Sequence, residues 1–464
     1  MKLFTAVPAV ILLIISAAYA EETMSNDFFS RIPKVTSEMQ HPDFWVKLAP
    51  DPDQILATQA QLDRYNGDVL RKTAPCADIW NLKQILSETD LREMIKKVSS
   101  PPSKAKFING KPIKPAYFKK LERNLNLGGI KGINKVRYGL TVRRSVMRTY
   151  PTYDRTFTDA SDQEFDRFIE TAVYPAEPLV ILHQSHDGKW FFARAYNYLA
   201  WIPVIDVAVG LKDEVMNYAQ KPHFLVVTGK KAFTNFNPEL PQLSELQLEM
   251  GVRIPLAASA EIADDVYGQG TEGNHVVSLP VRTAAGGLEF KQGLIPVTED
   301  VCLGYLPYTR RNILTQAFKF LGQRYGWGGQ YNTRDCSAFI MDIFRSMGVL
   351  LPRNSGEQGK LCPGVKHDMV EGLSLDERKK IFDALPAGSA LYMSGHAMLF
   401  LGKFGDDYFM IHDFAGFSVK SGDGRVTPHK ALEVAVTPLL SIYLGDGQKS
   451  FMEGLYTARE FIEQ

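Results

Sequence analysis

The stretch RDCSAFIMDIFRSMG, residues 334–348, decides how the C-terminal third of this chain folds. Its apolar residues recur at intervals of three and four, which predicts one buried face of a helix: Phe339, Ile340, Ile343, Phe344 and Met347. Gly348 and Pro352 then supply stop signals. An earlier segment repeats the spacing at Ile313, Leu314, Ala317, Phe318 and Leu321. Short β-type runs follow at 390–393, 397–401 and 408–414, and helices before strands predict an α+β domain.

Cys336 falls within the first turn of that predicted helix. Unpaired N–H groups and the positive end of the helix dipole favour a thiolate over a thiol there, which suits a nucleophile. A small buried cysteine, or a disulfide partner of Cys302 or Cys362, fits the position equally well. The position leaves these alternatives open, and a nucleophile also needs a base.

Two histidines lie in the predicted strands, His396 in SGHAMLFLG (394–402) and His412 in FMIHD (409–413). The segment between them is turn-like, and a hairpin centred on Phe404 sets residue 396 opposite residue 412, with Cβ atoms about 5 Å apart. One imidazole can then orient the other, as a base is oriented in a catalytic triad. A register slip of one residue separates them. Two unrelated strand histidines are the alternative.

Upstream of residue 305 the sequence predicts two regions of different secondary structure. Between residues 21 and 132 it predicts helices, one of them running from Asp51 to Tyr65. Two further helical faces are predicted at Leu82, Ile85 and Leu86 and at Leu91, Met94, Ile95 and Val98. SSPPSK, residues 99–104, interrupts this pattern. Between about residues 136 and 300, short β-type runs bounded by turn residues predict two small barrels that meet near residues 220–223.

Composition restricts the class of protein. The 464 residues hold 53 Lys and Arg against 52 Asp and Glu, so a formal net charge of +1 gives no field to attract a nucleic acid. The length predicts several domains. His183 and His186 have the spacing of metal ligands but no third partner, so we expect no metal and no other cofactor. The Gly-rich LGGIKG, residues 127–132, follows no strand and predicts an exit loop rather than a phosphate site.

The first twenty residues, MKLFTAVPAVILLIISAAYA, predict a Sec-type signal peptide that is cut after Ala20. An uncleaved membrane anchor is the alternative, but the apolar run from Leu3 to Ile15 is marginal for crossing a bilayer. We therefore expect an exported protein, periplasmic or secreted, without stable membrane insertion. Four cysteines are too few for a disulfide scaffold in so long a chain, and they leave the pairing of Cys302 with Cys362 open.

Five motifs carry a resemblance to a known family: YGWGG (325–329), DCSAF (335–339), LPRNSGEQG (351–359), SGHAMLFLG (394–402) and IHDFAG (411–416). Together they resemble the NlpC/P60 family of papain-like cysteine peptidases. More narrowly, the chain resembles secreted Gram-negative members with an N-terminal cap, two bacterial SH3-like domains and a C-terminal peptidase. Three upstream motifs fit that layout: VRRSVMRTYPT (142–152), MGVRIP (250–255) and GYLPYT (304–309).

The resemblance implies a multidomain fold. An α+β papain-like catalytic domain is preceded by two small all-β SH3-like barrels and a mainly helical N-terminal segment. The resemblance implies five segments in chain order: a signal peptide at 1–20, a helical cap at 21–132, a first SH3-like domain at 133–220, a second at 221–304 and the peptidase at 305–464.

The activity implied is hydrolysis of peptidoglycan stem peptides between γ-D-glutamate and a diamino acid such as meso-diaminopimelate. By motif position Cys336 is the nucleophile, His396 the general base and acid, and His412 the orienting third residue. Tyr325 resembles the tyrosine that helps to stabilise the oxyanion, beside the N–H of the nucleophile. Most relatives carry Gly where Ala338 stands, a small change inside the helix that affects no catalytic group.

Substrate selection rests on fewer residues. Asp335 resembles half of a clamp for the free α-amine of the stem's L-alanine, although an aspartate there also caps a helix well. Ser355 resembles a further binding residue, whereas Arg353 fits a structural role better. The first SH3-like domain typically lends the pocket an aromatic residue, and three are candidates although large aromatics in a small barrel are more often core: Tyr196, Tyr198 and Trp201. A free-amine requirement implies attack on peptides already released from glycan.

Two alternatives stay open. A papain-like Cys-His site also supports acyl transfer to an amine or alcohol instead of water. A non-catalytic peptidoglycan-binding protein, in which the SH3-like modules bind the wall, is the other alternative, although Cys336, His396 and His412 all stand within their motifs. A metalloenzyme lacks a ligand cluster in this sequence. Partners other than the stem peptide, and the oligomeric state, are not indicated.

Overall fold

The computed structural model describes residues 30–102, 104 and 106–463. The predicted signal peptide lies outside these residues. Within them, no helix is both long enough and apolar enough to cross a membrane.

Four helices and four short strands form the N-terminal part. They are α1 (Pro42–Leu48), α2 (Gln59–Lys72), β1 (Ile85–Ser87), α3 (Glu88–Val98), β2 (Phe107–Ile108), β3 (Lys111–Pro112), α4 (Pro115–Asn124) and β4 (Ile133–Lys135). The prediction of a helix over residues 91–98 is confirmed by α3, which Ser87 caps.

Two N-terminal helix predictions are wrong. The helix predicted from Asp51 begins only at Gln59, because the Thr58 side chain and Gln61 form a capping box there. The spacing of Leu82, Ile85 and Leu86 does not build a helix either. Ile85–Ser87 is instead a strand that pairs antiparallel with β4, since tertiary pairing overrides a short apolar periodicity.

The first barrel is a seven-stranded sheet in the order β11-β5-β8-β9-β10-β6-β7. Its strands are β5 (Arg137–Thr141), β6 (Ser145–Arg148), β7 (Ile169–Val173), β8 (Pro178–Gln184), β9 (Trp190–Arg194), β10 (Leu199–Pro203) and β11 (Val207–Gly210), and α5 (Lys212–Ala219) follows. The apolar runs that predicted β8 and β9 fill the interior of this barrel with buried Val, Ile and Phe side chains. The all-β prediction for this part of the chain is confirmed.

The second barrel consists of several small antiparallel sheets. Its strands are β12 (Phe224–Val227), β13 (Lys231–Phe233), β14 (Gln247–Glu249), β15 (Arg253–Pro255), β16 (Asp265–Val266), β17 (Gln269–Gly270), β18 (Asn274–Arg282), β19 (Leu288–Pro296) and β20 (Val301–Leu303). They pair as β15-β12-β20, β13-β14, β16-β17 and β18-β19.

The C-terminal domain has the predicted α+β organisation. Its helices are α6 (Arg310–Phe318), α7 (Cys336–Arg345), α8 (Ser355–Leu361), α9 (Leu375–Ala384) and α10 (Phe451–Gly454). Its strands are β21 (Val365–Asp368), β22 (Ala390–Met393), β23 (His396–Phe404), β24 (Asp407–Lys420), β25 (Val426–Pro438) and β26 (Leu455–Glu460), in the sheet order β21-β26-β22-β23-β24-β25. Helix α7 packs its apolar face on β23 and β24, which places Cys336 above the histidine strands.

The N-terminal helices contribute to two different cores. Helices α1 and α2 pack into the core of the C-terminal domain, where the Trp45 and Phe409 rings lie 5.3 Å apart. Helices α3 and α4 pack instead against the first barrel, in a cluster that includes Leu91 and Trp201. This segment therefore ties the barrel to the C-terminal domain from outside.

We expect Trp45→Ala to destabilise the C-terminal domain together with α1. Trp45 is fully buried, and its indole N–H donates to the Met39 carbonyl at 2.9 Å, so its loss should lower the free energy of unfolding by about 3–5 kcal/mol. Chemical denaturation followed by fluorescence measures the change. Leu48→Ala, on the same helix but 46% exposed, is the matched control. Equal effects of the two variants would contradict the shared core.

Candidate active site

His396 and His412 are adjacent, as predicted, but the predicted register is wrong. The His396 Nε2 and His412 Nδ1 atoms lie 2.8 Å apart. Phe404 is not the centre of the hairpin, because it pairs with Asp407 across a two-residue turn. Residue 396 is therefore not directly opposite residue 412.

A bulge at Leu401 accounts for the contact. On the turn side of the bulge Gly402 pairs with Phe409, and on the far side Phe400 pairs with Met410. Extending the far-side register sets residue 396 opposite 414, so that residues 396 and 412 are diagonal neighbours on one face of the sheet. Without the extra residue the register would differ by one, and the two side chains would point to opposite faces.

The two imidazoles belong to a chain of three polar groups. The Thr437 Oγ1 lies 2.9 Å from Nε2 of His412, on the other side of that ring. His412 is fully buried and stacks on Phe414 with ring centroids 3.9 Å apart. Burial, together with the neighbouring His396, holds the pKa of His412 well below its usual range. His412 is therefore a neutral, immobile hydrogen-bond partner for His396.

The direction of these hydrogen bonds decides what His396 can do. If the His412 Nε2–H donates to Thr437, the unprotonated His412 Nδ1 accepts the His396 Nε2–H. The remaining ring nitrogen of His396, Nδ1, then carries a lone pair. This tautomer makes His396 a proton acceptor, whereas the opposite tautomer would leave it a donor at Nδ1.

Cys336 is the first residue of α7 and a free thiol with 6% exposure. The backbone N–H of Ala397, next to His396 in the chain, acts to lower the pKa of the thiol. Burial and the nearby negative charge of Asp335 raise the pKa of the thiol to about 12, and burial lowers the pKa of His396 to about 4. In the resting site both groups are thus neutral, which is the protonation state a general-base mechanism starts from.

Asp335 caps α7, as the structural alternative for this residue predicted. One carboxylate oxygen accepts the Ala338 N–H at 3.1 Å, and the other accepts the Gly328 N–H at 2.9 Å and an Arg353 N–H at 2.7 Å. The Ser337 hydroxyl is a fourth donor, at 3.3 Å. Burial would raise the pKa of Asp335, but Arg353 and the backbone donors outweigh it and lower that pKa. The residue is an anion whose acceptor positions are already occupied.

Arg353 has the structural role that its sequence position favoured. Its buried guanidinium donates to Asp335, to the Ser337 hydroxyl at 2.8 Å and to the Thr171 hydroxyl at 2.6 Å. Because Thr171 lies on β7, this side chain fastens the first barrel to the start of α7.

The other predicted binding residues divide into two groups. Ser355 begins α8 and is nearly buried, and Tyr325 is 7% exposed with a pKa that burial and the neighbouring Cys336 raise well above its usual range. The Tyr198 hydroxyl donates to Glu170. The positive charge of Arg353 acts to lower the pKa of Tyr198, which indicates that Tyr198 lies near the Asp335–Arg353 pair. Trp201, in contrast, is fully buried in the barrel core.

We therefore correct Trp201 to a core residue. It packs on the Phe192 ring at 5.2 Å, and its indole N–H donates to the Ser99 hydroxyl at 2.9 Å, so it has no surface for a substrate. Tyr196 donates its hydroxyl to the Leu351 carbonyl at 3.1 Å and also has a structural partner. The general tendency of large aromatics to fill small barrels decides both cases.

Sequence reasoning missed Glu170. This partly buried carboxylate on β7 accepts the hydroxyl protons of Thr149 and Tyr198. A glutamate in a strand of a half-buried barrel is a weak signal by itself. Only the packing of β7 against residues 327–332, which no local pattern encodes, brings it to the site.

The remaining candidate sites are accounted for by structural contacts. The His183 Nε2 lies 3.1 Å from the Asn126 carbonyl oxygen. Among the described residues, no group of three or more His, Cys, Asp or Glu side chains could hold a metal ion. Cys302 is on β20 of the second barrel, whereas Cys362 ends α8, and both are free thiols.

A cysteine at the start of a helix, packed on an antiparallel sheet with two hydrogen-bonded histidines, defines a papain-like α+β domain. Family models match two parts of the chain: an SH3 domain of the SH3b1 type at residues 151–203 and the NlpC/P60 family at residues 322–434. The chain therefore contains an NlpC/P60 domain and an SH3 domain. This confirms the resemblance found in the sequence.

Two curated proteins resemble parts of the chain. It is 34% identical over 104 residues to the γ-D-glutamyl-L-lysine dipeptidyl-peptidase of Bacillus subtilis (strain 168), covering 21% of this chain and 33% of that protein. It is 47% identical over 47 residues to the probable endopeptidase p60 of Listeria seeligeri, covering 10% of this chain and 9% of that one. The chain thus spans a third or less of the length of these curated relatives.

The structure of an NlpC/P60 endopeptidase from Photobacterium damselae subsp. piscicida superposes with a TM-score of 0.71. The match covers 89% of this chain and 95% of that one at 16% sequence identity. At this identity the likeness establishes a common fold, and it extends over both barrels and the N-terminal helices as well as the C-terminal domain.

We predict that the imidazole of His396 stays neutral at pH 5.5. Burial disfavours the charged ring, so protonation should occur only as the pH falls towards about 4. Imidazole NMR of the folded protein between pH 4 and 8 measures the midpoint, with the resonance assigned by its absence in His396→Ala. A midpoint at or above 6.5 would show that the ring is solvated or paired with an anion.

Proposed function

We propose that this protein is a cysteine endopeptidase that hydrolyses the bond between γ-D-glutamate and the diamino acid of peptidoglycan stem peptides. The observation that carries the proposal is the hydrogen-bonded chain from Thr437 through His412 to His396, next to the Cys336 thiol at the start of α7. The name of the Bacillus subtilis relative, a γ-D-glutamyl-L-lysine dipeptidyl-peptidase, supports the bond type.

The reaction follows from the protonation states of the resting site. His396 accepts the thiol proton at Nδ1 while the Cys336 sulfur attacks the amide carbon, which forms a C–S bond and an oxyanion. The N–H of Cys336 and the Tyr325 hydroxyl donate to that oxyanion, since the raised pKa of Tyr325 keeps it protonated. His396 then gives its proton to the leaving amine as the C–N bond breaks. His396 then takes a proton from water as the oxygen attacks the thioester carbon; the C–S bond breaks, and His396 returns that proton to the Cys336 sulfur.

His412 acts through His396 rather than on the substrate. It holds the ring in the tautomer that leaves Nδ1 free, and its Nδ1 accepts more strongly when His396 becomes an imidazolium. Its own low pKa prevents it from taking the proton away. In this tautomer Thr437, at the end of the chain, accepts the His412 Nε2–H.

The preferred substrates are stem peptides with a free N-terminal L-alanine. Two carboxylates, Asp335 and Glu170, lie on the side where Tyr198 and Arg353 meet. All acceptor positions of Asp335 already face donors, so Glu170 is the better hydrogen-bond acceptor for an incoming ammonium group, and Asp335 contributes its charge. We assign Tyr198 and Ser355 to the same amine-binding region.

If the enzyme requires a free amine, its substrates are peptides already released from the glycan. An alanine that is still joined to the glycan has no charged amine, so it would place an uncharged amide against two carboxylates. Together with the expected export of the chain, this points to murein turnover or recycling in the periplasm or outside the cell. Intact cross-linked sacculi would then be poor substrates.

We expect wild-type protein to cleave L-Ala-γ-D-Glu-meso-diaminopimelate and to leave its N-acetylated form uncut. Mass spectrometry of the products measures both reactions. Cys336→Ala should abolish cleavage, and Cys302→Ala, a free thiol in the second barrel, is the matched control with full activity. Glu170→Gln should reduce the preference for the free amine by about tenfold, the value of one charge-assisted hydrogen bond of about 1.4 kcal/mol.

Each other outcome has a distinct meaning. Equal cleavage of the two peptides would contradict the proposed amine selectivity but support the peptidase activity. Products joined to an added acceptor amine would establish acyl transfer. If the protein bound peptidoglycan without cleaving it, and Cys336→Ala bound equally well, the protein would be a wall-binding protein and not an enzyme.

A further inference from the structure

A loop of the C-terminal domain, residues 326–333, connects Tyr325 to the start of α7 and is held by both barrels. The loop is closed at its base, where the Gly326 N–H donates to the Arg334 carbonyl at 2.7 Å. Its Gly328 N–H donates to Asp335, so the position of the loop sets the position of that carboxylate. Tyr325 and Cys336 flank this loop, and any displacement of it moves groups on both sides of the reacting sulfur.

Four residues of the loop have left-handed backbone conformations. Gly328 and Gly329 have φ values of +58° and +96°, and Tyr331 and Asn332 also adopt left-handed conformations at +56° and +59°. Non-glycine residues pay a steric cost there. The glycines lie directly on β7, where an added Cβ at Gly329 would come within 2.5 Å of the Ala172 Cβ. Contacts from outside the loop therefore add to the hydrogen bonds within it, such as that from the Gly329 N–H to the Gly326 carbonyl at 2.9 Å.

Arg144 supplies such contacts at two points. One of its terminal nitrogens donates to the Gly329 carbonyl and the Thr333 carbonyl, both at 2.8 Å, and so bridges the two ends of the left-handed segment. Arg144 is the second arginine of the VRRSVMRTYPT stretch in the first barrel. Its side chain is 14% exposed, and no step of the proposed reaction uses it.

The second barrel holds Arg144 in place. Oε1 of Glu249, on β14, lies 2.9 Å from the Arg144 Nε, and the glutamate side chain is 2% exposed. Gln247, two residues earlier on the same strand, exchanges two hydrogen bonds with Asn332 of the loop, at 2.6 and 2.8 Å. The loop is thus fastened to β14 both directly and through Arg144.

We propose that Arg144, held by Glu249, is a positioning residue that fixes the 326–333 loop and through it Tyr325 and Asp335. This inference rests on the proposed peptidase function and extends it, because it gives the second barrel a part in the activity. The barrel contributes no group to the reaction. It holds the arginine that keeps the oxyanion donor and the amine pocket in register with Cys336.

The test compares Arg144→Ala with Arg143→Ala. Arg143 is the neighbouring arginine, but its side chain is 52% exposed and pairs with Asp206 at 2.6 Å, away from the loop. Hydrogen–deuterium exchange of the peptides that cover residues 326–335 reports the loop without any substrate. Steady-state hydrolysis of the free tripeptide reports kcat and KM separately.

For Arg144→Ala we expect loop exchange to be at least about tenfold faster and kcat to fall about 10- to 100-fold, with KM changing less, because Tyr325 acts on the transition state. Arg144→Lys should restore part of kcat, since an ammonium can donate to the carbonyls but has no second nitrogen to lie beside Glu249. Exchange in β22–β26 should stay at the wild-type rate. A merely structural role would instead speed exchange throughout the domain.

A second variant controls for misfolding of Arg144→Ala. Arg144→Ala leaves Glu249 buried without its partner, so Arg144→Met combined with Glu249→Gln removes both charges together. The proposal would be overturned if Arg144→Ala and the double variant both showed a loop exchange rate and a kcat within twofold of those of Arg143→Ala. If the wild-type protein hydrolyses no peptide, the proposed function fails, but the exchange comparison still decides whether Arg144 fixes the loop.

Discussion

The hydrogen bond between His396 and His412 is the contact on which the proposed chemistry depends. It exists because one extra residue in β23 shifts the register of the hairpin and brings both rings to one face of the sheet. Stacking on Phe414 and the contact with the Thr437 hydroxyl then hold the His412 ring in place. The pair needs only a thiol beside it, and α7 places Cys336 there by packing across β23 and β24.

The two barrels contact the C-terminal domain next to this pair, at the loop that leads to Cys336. The first barrel places β7 against the loop that precedes Cys336, and its Thr171 is joined through Arg353 to Asp335. The second barrel reaches the same loop from the other side through Gln247. Both barrels therefore contact the loop that leads to Cys336, and the first barrel also contacts Asp335 through Arg353.

Much of this could be predicted from the sequence, and the parts that failed have a physical reason. The spacing of apolar residues in α7 and the strand runs of the sheet are local signals, and both are confirmed. The bulge at Leu401 is not encoded in any simple alternation, so the predicted hairpin was centred on the wrong residue although the histidines do meet. Glu170 was missed and Trp201 misplaced because both depend on how separate domains pack.

The protonation of the site and the domain contacts lead to the same central claim, that Cys336 forms a covalent intermediate with a stem peptide while His396 moves the proton. Rapid-quench mass spectrometry of the intact protein, mixed with L-Ala-γ-D-Glu-meso-diaminopimelate, tests it most directly. The account predicts a transient mass gain equal to an L-Ala-γ-D-Glu acyl group, located on the peptide that contains Cys336. Release of diaminopimelate without such an adduct, and at an unchanged rate in Cys336→Ala, would contradict it.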